Sequence, residues 1–206
     1  MLQRVRTRAD MTFRETMSGP FAMGVTEPDE GASAGRNNDW RLAFEATVTI
    51  DDMTAFTAEP RPPAGLDGEL DVPGVRGRVP FQGGVFRLFP RSDGADRTLM
   101  IYELGFEHEG TRYHLAGSKT AGERPKLFRL WSDTTTLDVR LYQGTDAGGD
   151  VVGAGVLRLT LMQLVRLVVS VRTPHSGSPV ETARTVGGFA WLFVKNLAGA
   201  YLSRRS

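Results

Sequence analysis

The chain has no cysteine, which removes disulfides, thiolate metal ligands and cysteine nucleophiles together. That absence fits a reducing compartment. Lysine is scarce as well: Lys119, Lys126 and Lys195 are the whole supply, and arginine provides the other basic residues. Charge of one sign is also missing. The 25 basic and 24 acidic residues leave +1, so no global field draws nucleic acid or an anionic membrane toward the protein. Long hydrophobic runs are absent too. The stretch from Gly187 to Leu202 is interrupted by Lys195 and Asn196, and it falls short of the roughly 20 apolar residues that a membrane-spanning helix needs. Arg4, Arg6, Arg8 and Arg14 near the start have no apolar run behind them, which does not read as a secretory signal. The expectation is a soluble, cytoplasmic protein.

What is present is an ordinary globular composition, 40% apolar and 24% charged over 206 residues, enough for one domain with a sizeable core. From Leu42 to Leu161 the dominant signal is alternation. Leu42, Phe44, Ala46, Val48 and Ile50 interleave with Ala43, Glu45, Thr47 and Thr49, giving one apolar and one mostly polar face. Similar sets follow at Val75, Val79 and Phe81 against Arg76 and Arg78, at Val85–Phe89, and at Met100, Tyr102, Leu104 and Phe106. Tyr113 and Leu115 come after a hairpin-like turn at Glu109-Gly110; then come Leu137, Val139 and Leu141, and last Val151 to Leu161. Gly, Pro, Asp and Ser punctuate the gaps at Pro60–Gly68, Ser92–Gly94, Gly122–Pro125 and Gly144–Gly149.

The spacing predicts about seven to nine strands in an antiparallel meander, a β-barrel or a barrel-like sandwich. A barrel of about eight strands either holds one small ligand or is filled by its own side chains. The expected division is an irregular, partly helical segment over 1–38, the β core over 39–161, and C-terminal helices over 162–206. In the last part Ser178, Pro179 and Glu181 match a capped helix start, followed by an apolar stripe through Ala183, Val186, Ala190, Phe193, Leu197 and Tyr201.

No strong catalytic motif occurs: no P-loop, H-E-x-x-H, G-x-S-x-G or dinucleotide fingerprint. His108, His114 and His175 are scattered, with no pair at ligand spacing, so neither a zinc site nor any other metal or cofactor is expected. The weak catalytic candidates are Tyr102, Glu103, His114 and Asp133. His114 can serve as a general base only if its strand phase faces inward, and a solvated strand position is its commoner role. Glu103 beside Tyr102 is an acid if internal and a wet-face charge otherwise. Tyr102, Tyr113, Lys119 and Trp131 are the candidate ligand contacts. For Lys119 a structural bridge to Asp133 is the simpler role. Trp131 needs cover for its ring and a partner for its indole N–H. Asp133-Thr134-Thr135-Thr136 reads first as a hydrogen-bonded corner.

Several of these residues fall in longer patterns. Phe13-x-Glu15-Thr16-Met17-x-Gly19, Met100-x-Tyr102-x-Leu104-x-Phe106 and Gly110-x-x-Tyr113-x-Leu115-x-Gly117-x-Lys119 are three; Trp131-x-Asp133-Thr134-Thr135-Thr136-Leu137 and Gly153-Ala154-Gly155-Val156-Leu157 are two more. Together they resemble the β-rich module of bacterial glucose–methanol–choline oxidoreductases of the cholesterol-oxidase-like group. The likeness runs from Thr12 to Tyr201, and its Trp-x-Asp-Thr-Thr-Thr-Leu element is the most specific part. The flavin-binding and oxidase motifs of that group belong to a separate domain whose motifs this sequence does not contain. The resemblance therefore implies a context, sterol-like, terpenoid or other lipophilic molecules beside a flavoprotein oxidoreductase, and it transfers no catalytic residue.

Three functions compete. The first is a non-catalytic module that binds a lipophilic small molecule or docks to an oxidoreductase. The second is a small barrel enzyme, an isomerase or cyclase, acting on a hydrophobic substrate. The third is a peripheral membrane or partner-binding protein that uses the last helix with Arg204 and Arg205. The first ranks highest.

Overall fold

A computed structural model describes residues 10–58, 62–88, 98–120 and 136–158. The expected alternation resolves into eight antiparallel strands: β1 (Met11–Met23), β2 (Arg41–Ile50), β3 (Ala64–Asp71), β4 (Val79–Leu88), β5 (Thr98–His108), β6 (Thr111–Thr120), β7 (Thr136–Gln143) and β8 (Asp150–Arg158). Each pairs with its neighbour in sequence, and β8 returns to β1 to close the barrel. Closure gives each described strand a paired neighbour on both sides.

Side chains on alternate positions point inward. Phe44, Val48 and Ile50 of β2, Leu104 of β5, Leu141 of β7 and Leu157 of β8 are all buried in one apolar core. The outer phase carries charge: Arg78 sits in the β3–β4 connection 3.1 Å from Glu45 and 3.6 Å from Glu69, all exposed. Arg76 is exposed there too.

Two helices complete the described residues. α1 (Pro28–Asn38) buries Pro28, Gly31, Ala32 and Gly35 and packs against β1 and β8. That cover explains why Ala22, Ala154 and Val156 are buried although they lie in the outward phase of their strands. α2 (Met53–Thr57) sits where β1 begins and β2 ends. The Asp52 carboxylate caps it by accepting from the Ala55 N–H at 2.8 Å, and Asp10 accepts from the Met53 N–H at 3.0 Å. So held, Phe56 reaches 1% exposure and closes that end of the core.

Four boundaries differ from the sequence reading. The sheet begins at Met11, inside the segment expected to be irregular, because Glu15 and Gly19 occupy inward positions and break the apolar phase of β1. β3 lies across much of the expected Pro60–Gly68 connection: Ala64, Leu66 and Leu70 mark its apolar face, while Asp67, Glu69 and Asp71 lie outside. Val75 to Arg78 form a turn rather than the start of a strand, and β4 runs unbroken from Val79 through the set expected at Val85. β8 is described to Arg158. The expected C-terminal helices lie outside the described residues, as do Trp131 and Asp133. Among the described residues no helix is long and apolar enough to cross a membrane.

Candidate functional site

One polar pair stands inside the apolar barrel. Glu15 is in the inward phase of β1, between Phe13 and Met17, and is 6% exposed. Tyr102 is in the inward phase of β5 and is 4% exposed. In an eight-strand ring β1 and β5 are diametrically opposed. Tyrosine is long enough to cross: its Oη lies 2.8 Å from Glu15 Oε1 and 2.9 Å from Oε2.

The local sequence arranges this meeting. On β5, Tyr102 pairs across the ladder with Phe86 of β4 on one side and Gly117 of β6 on the other. The Phe86 ring packs at 4.9 Å between centroids, and Phe44 of β2 at 5.9 Å. Gly117 contributes no side chain beside the tyrosine, and Leu137 of β7 fills that space: a Cβ at 117 would lie 2.7 Å from Leu137 Cδ2. The inner wall therefore stays apolar right up to the hydroxyl.

Burial disfavours the charged form of a carboxyl. Glu15 is pushed from the ordinary 4.5 up to about 7, with burial the larger influence and the Tyr102 hydrogen bond pulling the other way. Tyr102 is pushed far above its ordinary value by burial and then by the facing carboxylate, so it remains a donor across the neutral range. Glu15 is the one charged residue type buried among the described residues. A carboxylate has about four acceptor sites, and among the described residues Tyr102 is its one side-chain partner. Chemically the pair can hold a proton, accept a donor, or pass a proton to a bound group at neutral pH.

The other candidates separate by strand phase. Tyr113 faces inward and stacks on Phe106, with centroids 5.3 Å apart and planes at 22°. Glu103 faces outward, where it accepts from Arg87 Nη1 at 2.5 Å in a partly exposed ion pair. His114 also lies on the outer wall, tilted against Tyr142 at 6.3 Å. Neither Glu103 nor His114 joins Tyr102 in the interior, because each sits one residue away from an inward position. Lys119 is in the inward phase at the end of β6, half-buried. Asp138 is exposed as a residue, yet partial burial of its carboxyl raises it, and the Lys119 charge opposes that rise. Among the described residues no group of His, Asp and Glu is placed to hold a metal ion.

Glu15 is the residue that the candidate list missed. Its signal is in the sequence: a lone carboxylate in the apolar phase of Met11, Phe13, Met17 and Phe21. No protein-family model, no curated protein and no solved structure matches the chain.

Proposed function

We propose that the barrel takes up a small lipophilic molecule and anchors its polar group on Glu15 and Tyr102, in a binding or accessory role. The observation that carries this reading is the buried carboxyl–hydroxyl pair, set among the described residues in an otherwise apolar core. Hydrophobic residues at such positions often leave a core equally stable or make it more so, so the pair is not explained by stability. A binding site needs an apolar lining with a few placed polar groups. The sterol- or terpenoid-like class, and a flavoprotein oxidoreductase as partner, are proposed from the sequence resemblance alone. The test is a thermal-shift and native mass-spectrometry screen with a sterol, a 3-ketosteroid, farnesol and palmitate. A ligand at about 100 times its Kd adds roughly 2.7 kcal/mol of stability, so a binder raises Tm by several degrees. No shift and no retained mass with any of them, together with no binding of an apolar amine, overturns the reading.

A second reading, an isomerase or cyclase acting on the bound lipophile, draws on the Glu15 carboxyl near 7 beside a hydroxyl donor. Turnover of a lipophilic ketone or polyene, lost in both Glu15→Gln and Tyr102→Phe, would favour catalysis over binding.

A further inference from the structure

We propose that the polar group recognised by Glu15 and Tyr102 is an amine, held as an ammonium by the ionised carboxylate among the rings of Phe44, Phe86 and Tyr102. This rests on the lipophile-binding reading and names the chemistry of the molecule bound.

The first support is the near-equal approach of the tyrosine oxygen to both carboxyl oxygens, 2.8 and 2.9 Å. A single phenolic proton serves two acceptors poorly, because neither bond is then straight. A neutral carboxylic acid resolves this by closing a ring. One carboxyl oxygen donates its proton to Oη while the other accepts the phenolic proton. Both protons of that ring are used. A ketone or ester oxygen placed there must break one bond to make another. A donor group meets no such obstacle: once the acid ionises, the carboxylate offers about four acceptor sites, with Tyr102 taking one.

The second support is the aromatic surround. Phe86 and Phe44 pack against the Tyr102 ring, tilted by 45° and 47°, so the tyrosine that reaches the carboxyl stands in a cluster of three rings. Aromatic faces attract a cation far more than a neutral hydroxyl. An ammonium also compensates the carboxylate charge, which an alcohol leaves buried and unbalanced. Among the described residues no other group deep in the interior supplies that charge. The inward residues of β1, β2, β3, β4, β7 and β8 other than Glu15 are uncharged, and α2 presents Phe56 and Met53. His108 on β5 and Lys119 on β6 take the inward phase only at the ends of their strands, both half-buried.

The proton balance is fixed. An ammonium meeting the neutral acid gives an ammonium–carboxylate pair and releases one proton to solvent. With the acid titrating near 7, binding releases about one proton at pH 6 and about none at pH 8.

The experiment is isothermal titration calorimetry of the full chain with 1-adamantanamine, 1-adamantanol and 2-adamantanone, at pH 6 and pH 8. Two buffers of different ionisation enthalpy count the protons. The expected result is an amine bound at least tenfold tighter than the alcohol or ketone at pH 8, with proton release at pH 6. In Glu15→Gln the amine preference disappears while alcohol binding remains. Equal or tighter binding of the alcohol or ketone overturns the amine assignment and leaves the lipophile reading standing. If none of the three binds while a lipophile of the thermal-shift panel does, the amine assignment alone fails. If nothing binds in either experiment, both fail.

Discussion

Glu15 and Tyr102 are 87 residues apart in sequence and stand on opposed strands, yet the tyrosine hydroxyl touches both carboxyl oxygens inside the barrel. The contact is a cross-brace. β1 and β5 share no ladder, so this bond ties together two walls that backbone pairing leaves independent.

Burial of the Glu15 carboxyl, which outweighs the opposing pull of the Tyr102 bond, makes stability depend on pH in a definite direction. The folded carboxyl titrates near 7 and the ordinary one near 4.5, so the folded state holds the proton more tightly than the unfolded chain. The stabilisation is fully present below pH 4.5, declines as pH rises, and is lost above about 7. A shift of that size corresponds to about 3 kcal/mol. Urea unfolding of the wild type and Glu15→Gln at pH 5 and pH 8 isolates it, since the other carboxylates cancel in the difference. The variant should gain on the wild type by up to ~3 kcal/mol between the two pH values. A constant difference would mean that Glu15 does not change ionisation across that range.

Tyr102→Phe removes the donor and leaves the carboxyl buried. The expected cost is about 1–3 kcal/mol, and it should be larger at pH 8 than at pH 5, because the charged form depends more on the lost bond. The Tyr102 bond now lowers the Glu15 value, so the variant should move it further upward. The infrared band of the protonated carboxyl, followed against pH, reads that movement directly.

The barrel itself was legible because six of its strands carry period-two signals, Leu42 to Ile50 being the clearest. β1 and β3 were not, and the reasons are physical. In β1 a charged residue sits in the inward phase, so the pattern that announces a strand is broken by the residue that matters most for the site. In β3, Gly68 in an inward position and a register shift between Leu66 and Gly68 dilute the apolar face. Tyr102 was found as a candidate from its strand. Its partner could not be, since alternation assigns a face and says nothing about which of eight walls lies across the interior. Glu103 and His114 illustrate the converse. They are attractive as residue types, but the alternation that exposes Tyr102 and Tyr113 to the interior turns both of them out.

Packing beside the pair gives a steric prediction. In Gly117→Ala the new methyl meets Leu137 Cδ2 at 2.7 Å, and Leu137 is 1% exposed with little room to retreat. Overpacking of this kind costs about 1–3 kcal/mol. Gly105→Ala is the matched control on the adjoining strand. Its Cβ comes no closer than 3.8 Å to another atom, the Tyr113 carbonyl oxygen, and the position is exposed. Replacing a strand glycine there should be neutral or stabilise by up to about 1 kcal/mol. Chemical denaturation of both variants separates them, and equal effects would contradict the placement of Leu137 over Gly117.

The β5–β6 hairpin carries a local strain that can be relieved. Glu109 and Gly110 close it with φ of 50° and 75°, both left-handed, as a two-residue turn of the I′ kind requires. Gly110 adopts that conformation freely. Glu109 does not, and its 3.9 Å approach to His108, with the carboxylate largely in water, is a contact of little value. Asparagine tolerates the left-handed region far better than glutamate. Glu109→Asn is therefore expected to stabilise the protein by about 0.5–1 kcal/mol. For a chain of this size that is a rise in Tm of roughly 1–4 °C. Glu109→Val, β-branched and unable to relax there, should move Tm the other way by a similar amount. A valine variant as stable as the asparagine one would mean that the turn does not hold its left-handed geometry.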